Sequence, residues 1–310
     1  MGKATREAYG NALARIGKEN TNIVVLDADL SKSTKTDTFK AVCPERFFNV
    51  GIAEQNLISV GAGLAAAGKI PFVSSFSMFA TGRAFEQIRN AVCYPKLNVK
   101  VCATHAGITV GEDGATHQSL EDISCMRTLP NMTVVVPADE RETEAVIEWA
   151  ASYNGPVYVR LGRAGVDDVT TEGYSFVPGK STILVDGSDA TIIACGALVG
   201  PAVEASKTLS ESNISARVIN MASIKPIDAE AIIKAAAETG AIVTAEEHNI
   251  IGGLGSAVSE VVISNKPVPM EFVGVQDTFG ESGTPKELMA KYGLTANDIV
   301  EAVKRVIARK

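Results

Sequence analysis

Short apolar runs alternate with longer amphipathic stretches along this 310-residue chain, and this alternation constrains its fold more than any other feature. The short runs are rich in β-branched residues, as buried strands are, and lie at 22–30, 69–76, 98–104, 132–138 and 155–162. Between them, apolar residues recur at helical spacing over 5–19, 53–68, 79–92 and 138–153. Buried strands separated by helices of about ten to fifteen residues predict βα units and a mainly parallel sheet.

The alternation lapses after Arg163, where a stretch rich in Gly, Asp and Thr is typical of a linker. It then resumes with strands predicted at 181–187, 189–196, 215–223, 240–248 and 269–277. Helices are predicted around 198–210, 228–239, 253–263, 284–291 and 295–309. Thr284 and Thr295 are predicted N-caps of the last two helices, and Pro285 is predicted as a first helical residue. We therefore predict α/β domains at 1–165 and 181–310, joined by a linker at 166–180.

Amino-acid composition and charge exclude several classes of protein. The chain is 46% hydrophobic and 21% charged, so it can bury a core. Its longest uncharged run, at 190–203, is shorter than the roughly 20 residues of a membrane-spanning helix, and its first ten residues lack the apolar core of a signal peptide. Five scattered cysteines without a C-x-x-C pair indicate reduced thiols, and a net charge of −7 argues against nucleic-acid binding. We expect a cytoplasmic protein with no membrane or nucleic-acid partner.

Two of the three histidines, His105 and His117, lie in the segment 104–122 together with Asp113. This segment follows a predicted strand and precedes a predicted helix, so the topology of open α/β sheets predicts that it lies at a ligand-binding edge. A solvated turn with incidental histidines is one alternative. A zinc or manganese site is another, since these residue types are suitable ligands, although their spacing matches no compact helical metal motif.

Three further residues could belong to a binding site. Glu54 opens an otherwise apolar helix, where it either interacts favourably with the helix dipole or supplies a carboxyl group for acid/base chemistry. Phe76 and Phe79 come at a strand-to-helix corner, where they are either core residues or a wall against a flat heterocycle. Spacing alone leaves these alternatives open.

Taken together, these segments resemble the transketolase family of thiamine diphosphate enzymes. The motifs that carry the resemblance occur in family order and cover nearly the whole chain: LDADL (26–30), VGIAEQN (50–56), SSFSMF (74–79), THAGITVGEDGATHQSLED (104–122), VRLGR (159–163), EEHNIIGGLGSAV (246–258) and FGESGTPKELMAKYGLT (279–295). The resemblance implies a pyrimidine-binding thiamine diphosphate fold, a parallel sheet with flanking helices, in the first domain. It implies the smaller α/β transketolase C-terminal domain in the second.

The resemblance also implies site residues. Glu54 matches the glutamate that hydrogen-bonds the N1′ atom of the cofactor's aminopyrimidine and helps to activate the cofactor, whose pocket Phe76 and Phe79 would line. Asp113 and His117 match residues that contact the donor sugar's hydroxyls near C2, and His117 would also take part in catalysis. Four positions are implied to bind the substrate phosphate: His105 and Arg163, with Arg6 and Ser33 as weaker candidates. An arginine is well suited to a phosphate because the pair is charge-assisted and often bidentate.

The chain departs from the family pattern in one respect. Full-length members carry an earlier domain in which G-D-G, followed by an asparagine, holds Mg²⁺ and the diphosphate, and no G-D-G occurs here. The resemblance therefore implies the C-terminal subunit of a split transketolase, which transfers a two-carbon ketol unit between sugar phosphates. Thiamine diphosphate would be the cofactor, and Mg²⁺ would be ligated mainly by an N-terminal partner subunit, with no metal ligands from this chain. We expect a heterotetramer with two copies of each subunit.

Other functions of the same fold remain open. A 1-deoxyxylulose-5-phosphate synthase or the beta subunit of a 2-oxo acid dehydrogenase would share the cofactor and the glutamate. A non-catalytic subunit could keep the fold alone. The exact donor and acceptor sugars do not follow from the sequence.

Overall fold

Twelve β-strands are present in residues 2–310, the part of the chain that the computed structural model describes. They are β1 (Ile23–Asp27), β2 (Phe47–Asn49), β3 (Ile70–Ser74), β4 (Lys100–Ala103), β5 (Thr133–Val135), β6 (Val157–Arg160), β7 (Thr182–Val185), β8 (Ala190–Ala194), β9 (Ala216–Asn220), β10 (Ser223–Lys225), β11 (Ile242–Asn249) and β12 (Met270–Val275). Ten of them overlap the predicted strands. The sequence pattern did not predict β2 and β10, which have three residues each and are too short to show a period.

The strands form two sheets. The first has seven strands in the order β10-β5-β6-β4-β3-β1-β2, and the second has five in the order β12-β11-β8-β9-β7. Strands pair in parallel except at β5–β10 and β7–β9, which are antiparallel. The predicted α/β class with mainly parallel sheets is thereby confirmed. In each sheet the carboxyl ends of the parallel strands meet at one edge, where open α/β folds bind ligands.

Helices flank both sheets. They are α1 (Thr5–Glu19), α2 (Ser31–Thr34), α3 (Asp37–Val42), α4 (Glu54–Ala66), α5 (Phe85–Gln87), α6 (Asp122–Thr128), α7 (Glu140–Ser152), α8 (Val199–Glu211), α9 (Ala229–Thr239), α10 (Leu254–Asn265), α11 (Pro285–Lys291) and α12 (Ala296–Ile307). The predicted N-caps are confirmed. Thr284 accepts a hydrogen bond from the Glu287 N–H, with Pro285 as the first residue of α11. Thr295 accepts one from the Asp298 N–H at the start of α12.

The single helix predicted at 79–92 is wrong. The short helix α5 lies between two π-helical segments, Met78–Arg83 and Ile88–Cys93. The wider turns keep a nearly helical spacing of apolar residues, so periodicity did not distinguish them. Such segments often occur at functional sites, and this one carries Phe79.

The segment predicted as a linker, 166–180, packs against the first domain. The Asp139 carboxylate accepts a hydrogen bond from the Thr170 N–H at 2.7 Å, and the Tyr174 hydroxyl donates one to Glu142 at 2.6 Å. In the other direction, β10 belongs to the second half of the chain but extends the first sheet. The predicted domain limits therefore stay a prediction, with the two halves joined along a sheet edge.

The hydrophobic core is also continuous between the two halves. One cluster of buried residues includes Val101 and Val134 from the first sheet with Ile193 and Ile219 from the second. Such shared burial favours one relative position of the sheets. Among the helices of residues 2–310, none has both the length and the apolar character to cross a membrane.

Candidate functional site

The carboxyl edge of the first sheet carries the predicted site residues. Eight of the nine follow the carboxyl end of one of its strands: Ser33 after β1, Glu54 after β2, Phe76 and Phe79 after β3, His105, Asp113 and His117 after β4, and Arg163 after β6. The ninth, Arg6, reaches the same edge from α1 and contacts His105. Asp113 and His117 lie on the loop formed by residues 107–118, which we call the site loop.

Four of these residues form a cluster of rings. The rings of Phe76 and His105 stack with centroids 3.8 Å apart, and those of Phe76 and Phe79 are nearly parallel, with centroids 6.1 Å apart. His117 presents its ring at a steep angle to both phenylalanines, with centroids 5.2 Å from Phe79 and 6.3 Å from Phe76. The strand-to-helix corner thus places aromatic faces at the sheet edge, as the interpretation of a wall against a flat heterocycle requires.

His105 is held in one tautomer and kept neutral. Its backbone has φ = +56°, a left-handed conformation that is uncommon outside glycine and that clusters at functional sites. Its Nε2 atom lies 3.3 Å from the guanidinium of Arg6, which can only donate, so the proton is on Nδ1 and is donated to the Thr104 hydroxyl at 2.8 Å. Burial, with the nearby Arg6, Arg163 and His117, lowers the pKa of His105 to about 3.

Arg6 forms no ion pair with a carboxylate of the described residues, although the charge of Glu7 acts to raise its pKa. Its Nη1 atom donates to the Ser33 carbonyl at 2.9 Å, while its Nε atom is buried and has no acceptor. Within the described part of the chain, no carboxylate lies within 4 Å of its guanidinium. Burial and the charge of Arg163 lower the pKa of Arg6, although an arginine remains charged at neutral pH. This arrangement could bind an anion.

Arg163 lies on the other side of the site loop. It donates to the Val110 carbonyl and approaches two carboxylates, Glu112 at 3.3 Å and Asp113 at 3.8 Å. Both carboxylates are exposed, so these ion pairs are weak and can rearrange when a ligand binds. Arg163 also lowers the pKa of His105, which places it near the ring cluster.

Glu54 is buried at the first turn of α4, with 1% of its surface exposed. Its Oε2 atom accepts a hydrogen bond from Arg83 at 2.7 Å, and the same guanidinium lies 4.9 Å from the centre of the Phe79 ring. Arg83 was not predicted as a site residue. Its position four residues after Phe79 in a helical pattern was a usable signal, since such residues share a face.

The residues fit part of the cofactor that the resemblance implies. A buried carboxylate beside aromatic rings suits an aminopyrimidine, which is flat and carries ring nitrogens. By contrast, no group of three or more His, Cys, Asp or Glu side chains among residues 2–310 is arranged to hold a metal ion. A zinc or manganese ion at the Nε2 atom of His105 would also be repelled by the Arg6 guanidinium, which lies 3.3 Å from that atom. The chemistry present therefore fits the pyrimidine half of the cofactor.

The third histidine and a cavity between the two halves of the chain lie elsewhere. His248 is buried at the end of β11, with its Nδ1 atom 2.6 Å from the Asn249 carbonyl. A cavity of about 250 Å³ lies between the two halves of the chain, where Arg160 and Glu247 are among its lining residues. None of the nine predicted site residues lines that cavity. Among the described residues that line it, acidic and cationic side chains are present, but the aromatic rings found at the first sheet's edge are not.

Comparison with known proteins identifies the family. The description of the transketolase pyrimidine-binding domain matches residues 1–167, and that of the transketolase C-terminal domain matches residues 179–299. A solved structure described as a split-gene transketolase in an inactive beta4 tetramer is similar over 100% of both chains, with 58% sequence identity and a TM-score of 0.94.

Two curated relatives match nearly end to end. A Methanocaldococcus jannaschii protein with the provisional name of a transketolase C-terminal section is 53% identical over 304 residues, which are 97% of this chain and 95% of the relative. The 6-deoxy-6-sulfo-D-fructose transketolase subunit SqwH of Clostridium sp. (strain MSTE9) is 43% identical over 305 residues, with 98% and 95% covered. The matched domain descriptions, the fold and these relatives agree, and the chain belongs to the transketolase family.

Proposed function

We propose that this chain is the C-terminal subunit of a two-chain transketolase that transfers a two-carbon ketol unit between sugar phosphates. One observation carries the proposal. A single sheet edge carries the buried carboxylate of Glu54, the rings of Phe76 and Phe79, and Arg6, a cation with no carboxylate within 4 Å among the described residues. This combination suits an aminopyrimidine on one side and a phosphorylated substrate on the other.

Glu54 would act on the pyrimidine ring of thiamine diphosphate. When bound, this cofactor supplies a thiazolium that stabilises a carbanion. Glu54 would hold a proton at the N1′ atom, and Phe76 and Phe79 would orient the ring and exclude water from it. Phe76 is 7% exposed and is backed by His105, so its position is already rigid in the lone chain. Mg²⁺ and the diphosphate would be bound mainly by the partner subunit.

The remaining residues of the site would bind the sugar phosphate substrate. Arg6 and Arg163 would pair with the phosphate through charge-assisted hydrogen bonds, with Ser33 close to Arg6. His105 would contribute as a neutral ring, since its pKa is lowered to about 3. Asp113 and His117 would contact the donor sugar's hydroxyls, and His117, next to both phenylalanine rings, would also take part in catalysis.

The names of the relatives support a partner subunit. One related structure is described as a split-gene transketolase whose beta4 tetramer is inactive, and SqwH is described as a subunit. We therefore propose that activity requires an N-terminal subunit with the G-D-G motif, in an assembly with two copies of each chain. The five cysteines of this chain are free, as is usual in the cytoplasm, where we propose that the enzyme acts.

A direct test compares the purified chain with the chain co-expressed with a G-D-G partner. Ketol transfer would be assayed with thiamine diphosphate, Mg²⁺ and a panel of donors that includes ketose phosphates and a 6-deoxy-6-sulfo ketose, because SqwH is named for the latter. We expect activity only from the pair. Equal activity of the lone chain would reject the split enzyme.

The same preparation tests the other functions. Decarboxylation of pyruvate by the pair would favour a 1-deoxyxylulose-5-phosphate synthase or a dehydrogenase subunit. Calorimetry that detects no binding of thiamine diphosphate to the pair would favour a non-catalytic subunit. Cofactor binding together with ketol transfer supports the proposal.

A further inference from the structure

The site loop, residues 107–118, is in contact with the second domain at both of its ends. Gly107, Gly111 and Gly114 have φ between +76° and +84°, a conformation that other residues adopt only with strain. The loop therefore has flexible points on either side of Asp113, and its shape depends on what it packs against. The contacts come from Glu247 at one end and from residues 279–285, which we call the clasp, at the other.

At its first end, the loop is fixed to Glu247. The Glu247 carboxylate accepts a hydrogen bond from the Thr109 N–H at 2.7 Å and is itself buried. Gly107 packs so closely that a Cβ atom there would lie 2.3 Å from the Glu247 carboxyl carbon. This end of the loop has no space for adjustment.

At its second end, the loop is fixed by Gln118, whose side chain is 4% exposed. The Gln118 Nε2 atom donates to the Glu281 carbonyl of the clasp at 2.9 Å. It also lies 3.2 Å from the Ile108 carbonyl and 3.3 Å from the Gly111 carbonyl, within the loop itself. One amide group thus ties the loop to itself and to the second domain.

The clasp packs closely against the site loop because each segment has a glycine at the contact, Gly280 and Gly114. A Cβ atom on Gly114 would lie 2.5 Å from the Ser282 Oγ atom, and one on Gly280 would lie 1.9 Å from the Gln118 Oε1 atom. Real Cβ atoms do not approach other atoms so closely, so a side chain at Gly114 would displace the Ser282 hydroxyl and one at Gly280 would displace the Gln118 amide. Because the two segments fit closely, a shift of the clasp would also shift the site loop.

We propose that Gln118 is a positioning residue that aligns Asp113 and His117 with the donor sugar, using the second domain as its reference. His117 precedes Gln118 directly, so a displaced Gln118 displaces the ring that touches Phe79. Glu54 lies on α4, outside both the loop and the clasp. The inference rests on the proposed function, and it assigns to the second domain a role in sugar binding, separate from cofactor binding.

The test uses Gln118→Met in the two-chain enzyme, because methionine is unbranched and similar in size but has no hydrogen-bond donor. We expect the KM for the donor sugar to rise about tenfold, as for lost substrate alignment, while the Kd for thiamine diphosphate stays within about twofold. Gly280→Ala, which presses on Gln118 from the clasp, should give the same pattern.

Gly255→Ala is the matched control. A Cβ atom there would lie 2.5 Å from the Phe272 ring, so the variant strains the second domain away from the site loop. It should leave the donor KM unchanged. The proposal is overturned if Gln118→Met leaves the donor KM unchanged, if KM and the cofactor Kd rise together, or if Gly255→Ala raises KM equally.

A second measurement needs no catalysis. Hydrogen exchange of the amides of residues 107–117 in the lone chain should be at least about tenfold faster in Gln118→Met than in the wild type, and unchanged in Gly255→Ala. If the wild-type pair shows no ketol transfer, the proposed function fails while this readout still tests Gln118. Unchanged exchange in Gln118→Met would overturn its positioning role.

Discussion

The two sheets of this chain both end in charged carboxyl edges, but their charges are arranged in different ways. At the first edge, Arg6 has no carboxylate partner in the described chain and its Nε atom has no acceptor. At the second edge, Glu246 and Glu247 are buried and bonded. Glu246 accepts hydrogen bonds from the N–H groups of Leu254 and Gly255 at 2.7 and 2.8 Å. Other charged groups are paired at both edges, but the first edge also has one buried donor nitrogen, the Nε atom of Arg6, without an acceptor.

A buried ion pair at the carboxyl end of β6, in the first sheet, contacts the second edge. Arg160 donates to Asp122 at 2.8 Å and to the Glu247 carbonyl at 2.8 Å. Burial opposes ionisation of Asp122, but Arg160 lowers the pKa of this carboxyl below its ordinary value, while burial raises the pKa of Glu247. The same topology thus gives two edges that differ in one respect: at the first, the half-buried guanidinium of Arg6 has no carboxylate within 4 Å among the described residues.

Substitution of a buried, paired arginine and of a cation without a carboxylate partner gives the largest expected difference. Arg160→Met should lower the free energy of unfolding by about 3–5 kcal/mol, because it leaves two buried carboxylates without their cation. Arg6→Met should change it by less than about 1 kcal/mol, since no ion pair is lost. Denaturant unfolding of both variants measures the contrast. Similar losses in the two variants would show that the first edge is also a structural interface.

Removal of charge from Glu54 should affect turnover rather than stability. In the two-chain enzyme, Glu54→Gln should reduce kcat by roughly 10²- to 10³-fold, as expected when an acid/base group is lost. The assembly should stay intact, because an amide keeps the size of the side chain. Steady-state kinetics and size-exclusion chromatography measure the two quantities. Near-normal turnover would reject a role for Glu54 at the cofactor.

The unpaired cation at the first edge should recognise phosphate. Arg6→Met should raise the KM for a phosphorylated substrate about tenfold, the cost of one hydrogen bond to a charged group. The KM for the same sugar without its phosphate should not change. Kinetics with the matched pair of substrates measure the difference. A similar rise for both sugars would place Arg6 away from the phosphate.

The local pattern of the sequence predicted much of the fold and of the first edge. Ten strands overlap their predicted segments, and α1 has the predicted bounds, because buried strands and amphipathic helices have short periods. Phe76 and His105 follow strand ends, so topology alone brings them to one edge. The two short strands and the π-helical turns around Phe79 lack such a pattern.

Contacts between distant segments did not follow from the sequence. The segment that contains Glu247 was predicted as a strand and part of a family motif, yet its carboxylate binds Thr109 across the interface. Gln118 and Arg83 were not predicted either, because their roles depend on carbonyl and carboxylate groups brought near by folding. Unpredicted contacts of this kind occur at both edges, because each joins residues that are far apart in the sequence.

The smallest expected effect is a pH dependence of stability at the first edge. The pKa of His105 is lowered from an ordinary value of 6.5 to about 3, so below pH 6.5 the unfolded chain binds a proton that the folded chain does not. Stability from this group is present above pH 6.5 and is lost as the pH falls toward 3. Relative to His105→Gln, the wild type should lose about 1 kcal/mol between pH 7.5 and pH 6.

A second substitution separates the two main causes of the lowered pKa of His105. Burial is the main cause and the charge of Arg6 is the next, so Arg6→Met should raise the folded-state pKa of His105. Relative to His105→Gln, the loss of stability between pH 6 and pH 3.5, where the folded chain takes up its own proton, should then be smaller in the Arg6→Met background. Denaturant unfolding of the four chains at pH 6 and pH 3.5 measures the two losses. An equal loss in both backgrounds would mean that burial alone keeps His105 neutral. A smaller loss would show that the positive charge of Arg6 also helps to keep His105 neutral in the folded chain.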